Sequence, residues 1–299
     1  DLDIAKGGMR GYEDLPWYPN RSVQKVQVFF NDGNGIYSDS GQLFGADSHR
    51  IDVGDVDGDG DVDIVAGNMF STGVRVFLNN GQGQFSELQQ SIGGYYDYIP
   101  ELADLDNDGD LDLYVGNIRV NGRNKIFLND GTGMFTQVSN LGLNTGRISD
   151  AALFDIDNDG DNDLVEITSY SRQTSGNVTT IINAMQKIYR NDGNAIFSLI
   201  HIENLTSGEG PTGSPRSIGF GDVDKDGDID FNTMTSGPNV ISGLFLNNGN
   251  GEFTLDSDFG VLDPSVPSYM SYQYNVASDG PMKDLDNDGD LDPAILGIV

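Results

Sequence analysis

The residues best placed to do chemistry are aspartates that recur at one fixed spacing. A nine-residue loop holds Asp55, Asp57, Asp59, Asp61 and Asp63 at its odd positions, with Gly60 at position 6. The pattern returns as Asp104, Asp106, Asp108, Asp110 and Asp112, then as Asp155, Asp157, Asp159, Asp161 and Asp163. It appears again as Asp222, Asp224, Asp226, Asp228 and Asp230, and finally as Asp284, Asp286, Asp288, Asp290 and Asp292. Carboxylates at positions 1, 3, 5 and 9 bring several oxygens around one hard cation. The glycine permits the sharp turn, and the position-7 carbonyl is a further ligand. An all-oxygen donor set without His or Cys favours calcium over zinc or copper, and magnesium is disfavoured because it keeps its waters. Carboxylates this close repel by about 1–4 kcal/mol per pair unless a cation neutralises them. The expected cofactor is structural Ca²⁺ at about five sites.

An EF-hand needs a glutamate at position 12 and a helix on each side. Position 12 is Ala66, Val115, Glu166, Thr233 and Ile295, and the flanks read as strands, so that reading fails. The net charge of -31 reflects these loops. With Asp1 and Asp3, which fit the end of a sixth copy, the loops hold 27 of the 47 acidic residues and leave 20 acids against 16 bases. A polyanion would be repelled, which argues against nucleic acid as a partner. There is no cysteine, hence no disulfide and no thiolate site. No apolar run reaches membrane-spanning length, so direct membrane insertion is not expected.

The elements that must position these loops also repeat. Each acidic loop follows an apolar run such as 50–56 or 218–223, and precedes a continuous apolar run such as 63–67 or 112–116, the pattern of strands buried on both faces. An alternating strand such as 74–78 comes next. It ends in Asn-Asp-Gly or Asn-Asn-Gly, a turn that supplies residues tolerating positive φ in a hairpin, and a last short strand follows. Acidic loops start 49, 51, 67 and 62 residues apart, a period of repeat architectures. Four antiparallel strands per repeat describe one propeller blade, and no stretch has helical periodicity. The expected fold is all-β, a single β-propeller domain over residues 1–299.

Asp-x-Asp-x-Asp-Gly-Asp-x-Asp followed by a Gly-ended strand, with Phe44-Gly45 ten residues upstream of the first loop, resembles the FG-GAP/VCBS repeat family. Phe259-Gly260 shows the same start, while Gly93-Gly94 and Leu141-Gly142 depart from it. The resemblance implies a calcium-bearing, integrin-α-like propeller on secreted or cell-surface proteins, seven-bladed in the full chain with about six blades represented here. It implies no single activity, because the fold serves adhesins, lectin-like proteins and accessory domains of polysaccharide-active enzymes. The strand map gives the N-terminus strands two to four of one blade and the C-terminus strands one and two of another. That fits a fragment of a longer chain better than a closed five-bladed ring, with further domains expected.

Acidic loops and Asn-Gly hairpins emerge at one end of each blade. Repeat lengths vary at the other end, in residues 8–24, 168–184, 204–217 and 261–278. Aromatics collect in the connections at that end: Tyr12, Trp17, Tyr18, Tyr95, Tyr96, Tyr98, Tyr170, Tyr269, Tyr272 and Tyr274, nine of the twelve tyrosines and the only tryptophan. Tyr and Trp on variable loops suit a contact face for sugar rings or a protein. Catalysis has little support: the histidines are His49 and His201 alone, and no nucleophile signature or phosphate loop stands out. The expected function is an extracellular adhesion or recognition module that binds a protein or glycan on a cell or matrix surface. The alternatives are a domain of a polysaccharide lyase or hydrolase, and a structural subunit of an extracellular assembly.

Overall fold

The computed structural model describes residues 4–6, 25–45, 48–68, 73–119, 122–138, 147–169, 171–175, 178–182, 184–205, 214–236, 243–256, 276–277, 280–281 and 295–296. All regular structure among them is β, and four complete antiparallel blades follow one another along the chain. The fold is that of a β-propeller.

A three-stranded sheet comes first, from β1 (Ile4–Lys6), β2 (Val26–Asn31) and β3 (Tyr37–Phe44). It holds the second to fourth strands of a blade, as the repeat pattern predicts. The first complete blade is β4 (Ser48–Gly54), β5 (Asp63–Asn68), β6 (Arg75–Asn79) and β7 (Phe85–Glu87), hydrogen-bonded in that order. The second is β8 (Asp97–Ala103), β9 (Asp112–Asn117), β10 (Lys125–Asn129) and β11 (Phe135–Gln137). In the third, β12 (Ile148–Phe154) and β13 (Asp163–Thr168) are followed by an inserted hairpin of β14 (Ser171–Ser175) and β15 (Val178–Ile182). The sheet then continues with β16 (Met185–Asn191) and β17 (Phe197–Asn204). The long connection at 168–184 is thus a small sheet of its own. The fourth blade is β18 (Ser214–Gly221), β19 (Asp230–Ser236), β20 (Gly243–Asn247) and β21 (Phe253–Asp256). Near the C-terminus β22 (Val276–Ala277) pairs with β24 (Ile295–Leu296), and β23 (Gly280–Pro281) pairs in parallel with β18.

The continuous apolar runs become the second strand of each blade. In β5, β9 and β13 every residue is buried, the pattern of strands covered on both sheet faces. The chain divides into two compact units, the first essentially residues 1–143 and the second 144–299, with Leu105–Asn107 and 119–122 grouped in the second. In the first unit, Val65, Val76, Leu113, Val115 and Phe127 form one apolar layer, and Val26, Val28, Ile64, Ala66 and Phe77 another. Phe44, the aromatic of the upstream Phe-Gly pair, rests against Phe77 and Phe85 with ring centroids 4.7 and 5.3 Å away. In the second unit Val165, Ile167, Ile188, Ile218, Phe231 and Phe245 pack together, with Phe231 stacked on Phe245 at 4.9 Å. Burying one such phenylalanine contributes about 1.5–3 kcal/mol.

Every complete blade carries a bulge at the same place. Register shifts fall at His49, Tyr98, Ser149 and Arg216, each six residues before its acidic loop. A bulge sharpens strand twist and re-aims one residue. The first bulge contact is tight: a Cβ on Gly67 of β5 would lie 1.9 Å from the carbonyl oxygen of Tyr98. Gly67 therefore ends its strand as glycine for lack of space, not for unusual φ.

Candidate metal centres and the aromatic end of the blades

Each described acidic loop joins the first and second strands of its blade and folds back on itself through its own carboxylates. At position 1, Asp55 accepts from the backbone N–H of Gly58 and Gly60, Asp155 from Asp159 and Gly160, and Asp222 from Asp226 and Gly227. At position 5, Asp59, Asp108, Asp159 and Asp226 each accept from the N–H two residues on. The position-6 glycines have φ of 91°, 96°, 93° and 101°, which only glycine adopts without strain.

This folding brings carboxylate oxygens together. Asp55, Asp57 and Asp63 offer oxygens that all lie within 4.8 Å of one another, as do Asp155, Asp157 and Asp163, and Asp222, Asp224 and Asp230. In the second loop the converging set is Asp104, Asp106 and Asp108. Position 9 has a double role, because it also begins the second strand. Asp63 accepts from Val56 N–H (3.0 Å) and Asn79 N–H (2.7 Å); Asp163 from Ile156 and Asn191; Asp230 from Val223 and Asn247. Burial, with nearby loop carboxylates adding to it, holds Asp63 and Asp230 above the usual carboxylate range and pushes Asp163 up to about 7. Asp57 and Asp157 are raised for the same two reasons. These groups resist ionisation until positive charge is supplied.

The donor set fits a hard cation. It is all oxygen, and the Oδ1 atoms of Asp57 and Asp157 are buried and accept no hydrogen bond. A buried carboxylate oxygen without a partner is costly, and a cation satisfies it. Several clusters in this chain can therefore hold metal ions.

The position-7 carboxylates stand outside the converging sets. Asp161 accepts from Asn107 Nδ2 of the preceding loop, and Asp228 from Asn158 Nδ2 of the loop before it at 2.8 Å. Asn107, Asn158 and Lys225 occupy position 4 with φ of 62°, 61° and 64°, so this position has the same backbone in three loops. On their other side, Asp61, Asp110 and Asp228 lie over hairpin glycines: a Cβ on Gly81, Gly131 or Gly249 would come within 2.5–2.6 Å of a carboxylate oxygen. Position 7 therefore ties loops to their surroundings.

The hairpins take positive φ as expected of these turns, at glycines such as Gly81 and Gly83 in the first, second and fourth blades and at Gly193, Asn194 and Ala195 in the third. The loop spans five residues, closed by Asn80 N–H to Gln84 O at 3.2 Å, so it is not a two-residue turn. The leading asparagine is instead a buried tie. Asn129 Nδ2 donates to Leu111 O in its own acidic loop and to Val56 O in the preceding one, at 3.0 and 2.8 Å. Asn191 does the same to Asn162 O and Leu105 O, and Asn247 to Ile229 O and Ile156 O. Among the described residues Asn79 Nδ2 donates only within its own repeat, to Val62 O. These ties were not expected from sequence, although an Asn at the same place in every hairpin was their visible trace.

At the other end of the second blade, Gly94–Asp97 forms the turn that displays Tyr95 and Tyr96. Asp97 is wholly buried and clamps the turn: its carboxylate accepts from Gly94 N–H at 2.5 Å and Asn117 Nδ2 at 2.7 Å, and pairs with Lys125. Tyr95 is 69% exposed and Tyr96 half-buried, with ring centroids 6.2 Å apart. Tyr98 is half-buried at the bulge. The remaining expected contact residues, Tyr12, Trp17, Tyr18, Tyr170, Tyr269, Tyr272 and Tyr274, lie outside the described residues, as do Asp284, Asp286, Asp288, Asp290 and Asp292. His201 is exposed, 3.9 Å from Glu203.

With this geometry in view, comparison with known proteins gives a consistent class. The FG-GAP-like repeat model matches residues 55–115 and 104–166, so this stretch carries FG-GAP-like repeats, in keeping with the β-propeller fold. Among solved structures it is similar to a lectin of Agrocybe aegerita described by its specific recognition of non-reducing terminal N-acetylglucosamine. Identity is 18%, the TM-score is 0.57, and the match covers 97% of this chain and 73% of the lectin. At that identity the likeness speaks for the fold. No curated protein sequence matches.

Proposed function

We propose that this propeller is an extracellular recognition module, held in shape by calcium in its acidic loops, that binds glycans through the aromatic-bearing ends of its blades. The observation that carries the reading is the division of labour within a blade. One end repeats the same oxygen-lined loop, with buried oxygens that lack partners. The other end differs from blade to blade and, in the second blade, displays the exposed ring of Tyr95 beside the half-buried Tyr96. In the first, third and fourth loops the carboxylates at positions 1, 3 and 9 would hold the ion, and Asp104, Asp106 and Asp108 in the second. When bound, Ca²⁺ supplies charge neutralisation among carboxylates that otherwise repel. The loop residues do the rest: position 1 closes the loop through two backbone N–H groups, and position 9 fixes the start of the second strand.

Glycan is favoured over protein as partner because a lectin shares the fold over 97% of this chain. The loop type supports an extracellular location, since extracellular calcium modules work at about 10⁻⁴–10⁻³ M, where cytosolic calcium would leave them empty. A glycan array probed with the chain in calcium, and again after chelation, tests the reading. Saccharide binding that disappears with EGTA and returns with calcium is expected. A folded, calcium-loaded chain that captures no saccharide would sink it.

A further inference from the structure

We infer that the Gly94–Asp97 turn of the second blade is a stacking site for a neutral pyranose residue, with Tyr95 as the platform and Tyr96 as its side wall. The inference rests on the glycan reading above and names where the sugar sits and which sugars are admitted.

The backbone supplies the first argument. Tyr96 has φ of 67°, a conformation that a bulky residue adopts only where its surroundings impose it. The surroundings are on hand. Ile118 N–H donates to Tyr96 O at 3.0 Å, and Asp97 N–H to Gly94 O at 3.2 Å. Asn117 bridges the turn through its Nδ2, which donates to the Asp97 carboxylate and to Tyr95 O, while its own backbone N–H donates to Asn124 Oδ1 at 2.9 Å. Gly73 closes the turn from behind, where a Cβ would lie 2.2 Å from Ile92 O. The buried Asp97–Lys125–Asn117 network is an unusual thing to build beneath an exposed loop. Strain of this kind collects at ligand sites, where it fixes a shape in advance.

The second argument is what the fixed shape presents. Two tyrosine rings, 6.2 Å apart and inclined at 53°, form an open corner with Tyr95 largely in solvent. A pyranose has one apolar C–H face and a polar hydroxyl edge. It lies on an aromatic ring by the first and meets phenolic hydroxyls by the second. Tyrosine serves this well because it offers a broad amphipathic surface with few rotors to freeze. Charge sets the class: a chain at -31, and still anionic with its loops filled, disfavours sialylated, sulfated or uronic saccharides.

The experiment uses the full chain in calcium, with neutral and acidic saccharides including N-acetylglucosamine as probes, and compares Tyr95→Ala, Tyr95→Trp and, as a distant control, Tyr37→Ala. Tyr95 is exposed, so all three variants should melt with wild type. Expected are a tenfold or greater loss of affinity for Tyr95→Ala, retention for Tyr95→Trp, no change for Tyr37→Ala, and preference for neutral sugars. Unchanged affinity in Tyr95→Ala would overturn the site while leaving the glycan reading intact. Selective binding of acidic saccharides would overturn the assigned class. If wild type binds no saccharide, the glycan reading falls and this site with it.

Discussion

At the acidic end of the blades, the first, third and fourth loops make the same kinds of bond, position 1 to two backbone N–H groups and position 9 to two more, and the leading asparagines of the second, third and fourth blades reach the carbonyl at position 2 of the preceding loop. At the other end the described blades share only a bulge. Its residue is histidine, tyrosine, serine or arginine, and the neighbouring connections range from a clamped Tyr-Tyr turn to an inserted hairpin. Even glycine is used differently. Gly60, Gly109, Gly160 and Gly227 have open space and strongly positive φ, whereas Gly67 has no room for a Cβ. One end answers to a single demand, holding a cation, so each copy must be alike. The other carries whatever contact its blade makes, so copies are free to diverge.

If that contrast is right, removing the cation strikes every blade at once. A site held at a hundredfold excess over its dissociation constant contributes about 2.7 kcal/mol, so four described sites contribute roughly 10 kcal/mol, comparable to the whole stability of a domain. Differential scanning calorimetry should show EGTA lowering the melting temperature by about 20 °C, with calcium restoring it. An unchanged melt would mean the acidic loops are not metal centres.

Gly67→Ala probes the other end. Its Cβ would meet Tyr98 O at 1.9 Å, and backbone on both sides must shift. A loss of about 3 kcal/mol is expected in urea unfolding, with calcium affinity little altered. A loss in calcium affinity as large as the loss in stability would show that the two ends are not separable.

Much of this was legible in sequence because it rests on local rules. The acidic loops announce their fold through odd-numbered aspartates and a glycine at position 6. The second strands announce double burial through unbroken apolar runs, and β5, β9 and β13 are buried throughout. What sequence did not yield involves partners distant in the chain. Asn247 reads as a turn residue, yet its amide reaches Ile156 O, 91 residues away. Asp161 and Asp228 read as ligands like their neighbours, and only the adjacent loop's Asn107 and Asn158 reveal their other role. Tyr96 gives no sign of its left-handed backbone, since the cause is a network beneath it built from Asp97, Asn117 and Lys125.

The asparagine ties allow a graded test of how far the loops act together. Asn247→Ala removes the bonds to Ile156 O and Ile229 O and the one its Oδ1 accepts from Gly249 N–H, and it strands the buried carbonyl of Ile156, so about 2 kcal/mol of destabilisation is expected. Asn79→Ala removes the corresponding bonds to Val62 O and from Gly83 N–H but none to a preceding loop, and should cost about 1 kcal/mol or less. Equal losses in chemical denaturation would indicate that the bond to the preceding loop contributes nothing, and the blades would then be linked by apolar packing alone.

The smallest effect should come from Asn158→Ala, and it is the most direct test of whether the acidic loops are independent copies. Asn158 sits at position 4 of the third loop and donates to Asp228 of the fourth. Asn158 is exposed and its bond to the half-buried Asp228 lies at the surface, so stability should barely change. Asp228 is held between that amide and Gly249, however, and its loop carries the Asp222, Asp224 and Asp230 cluster. Freeing it should loosen the fourth loop by about 0.5 kcal/mol, or roughly twofold in cation affinity, while the third loop binds as before. Calorimetric titration of Asn158→Ala, with Asp157→Asn and Asp224→Asn backgrounds to silence one loop at a time, separates the two. A weakened third loop and an unaltered fourth would show that position 4 serves its own loop. The reverse would show that coupling runs forward along the chain, from each loop to the next.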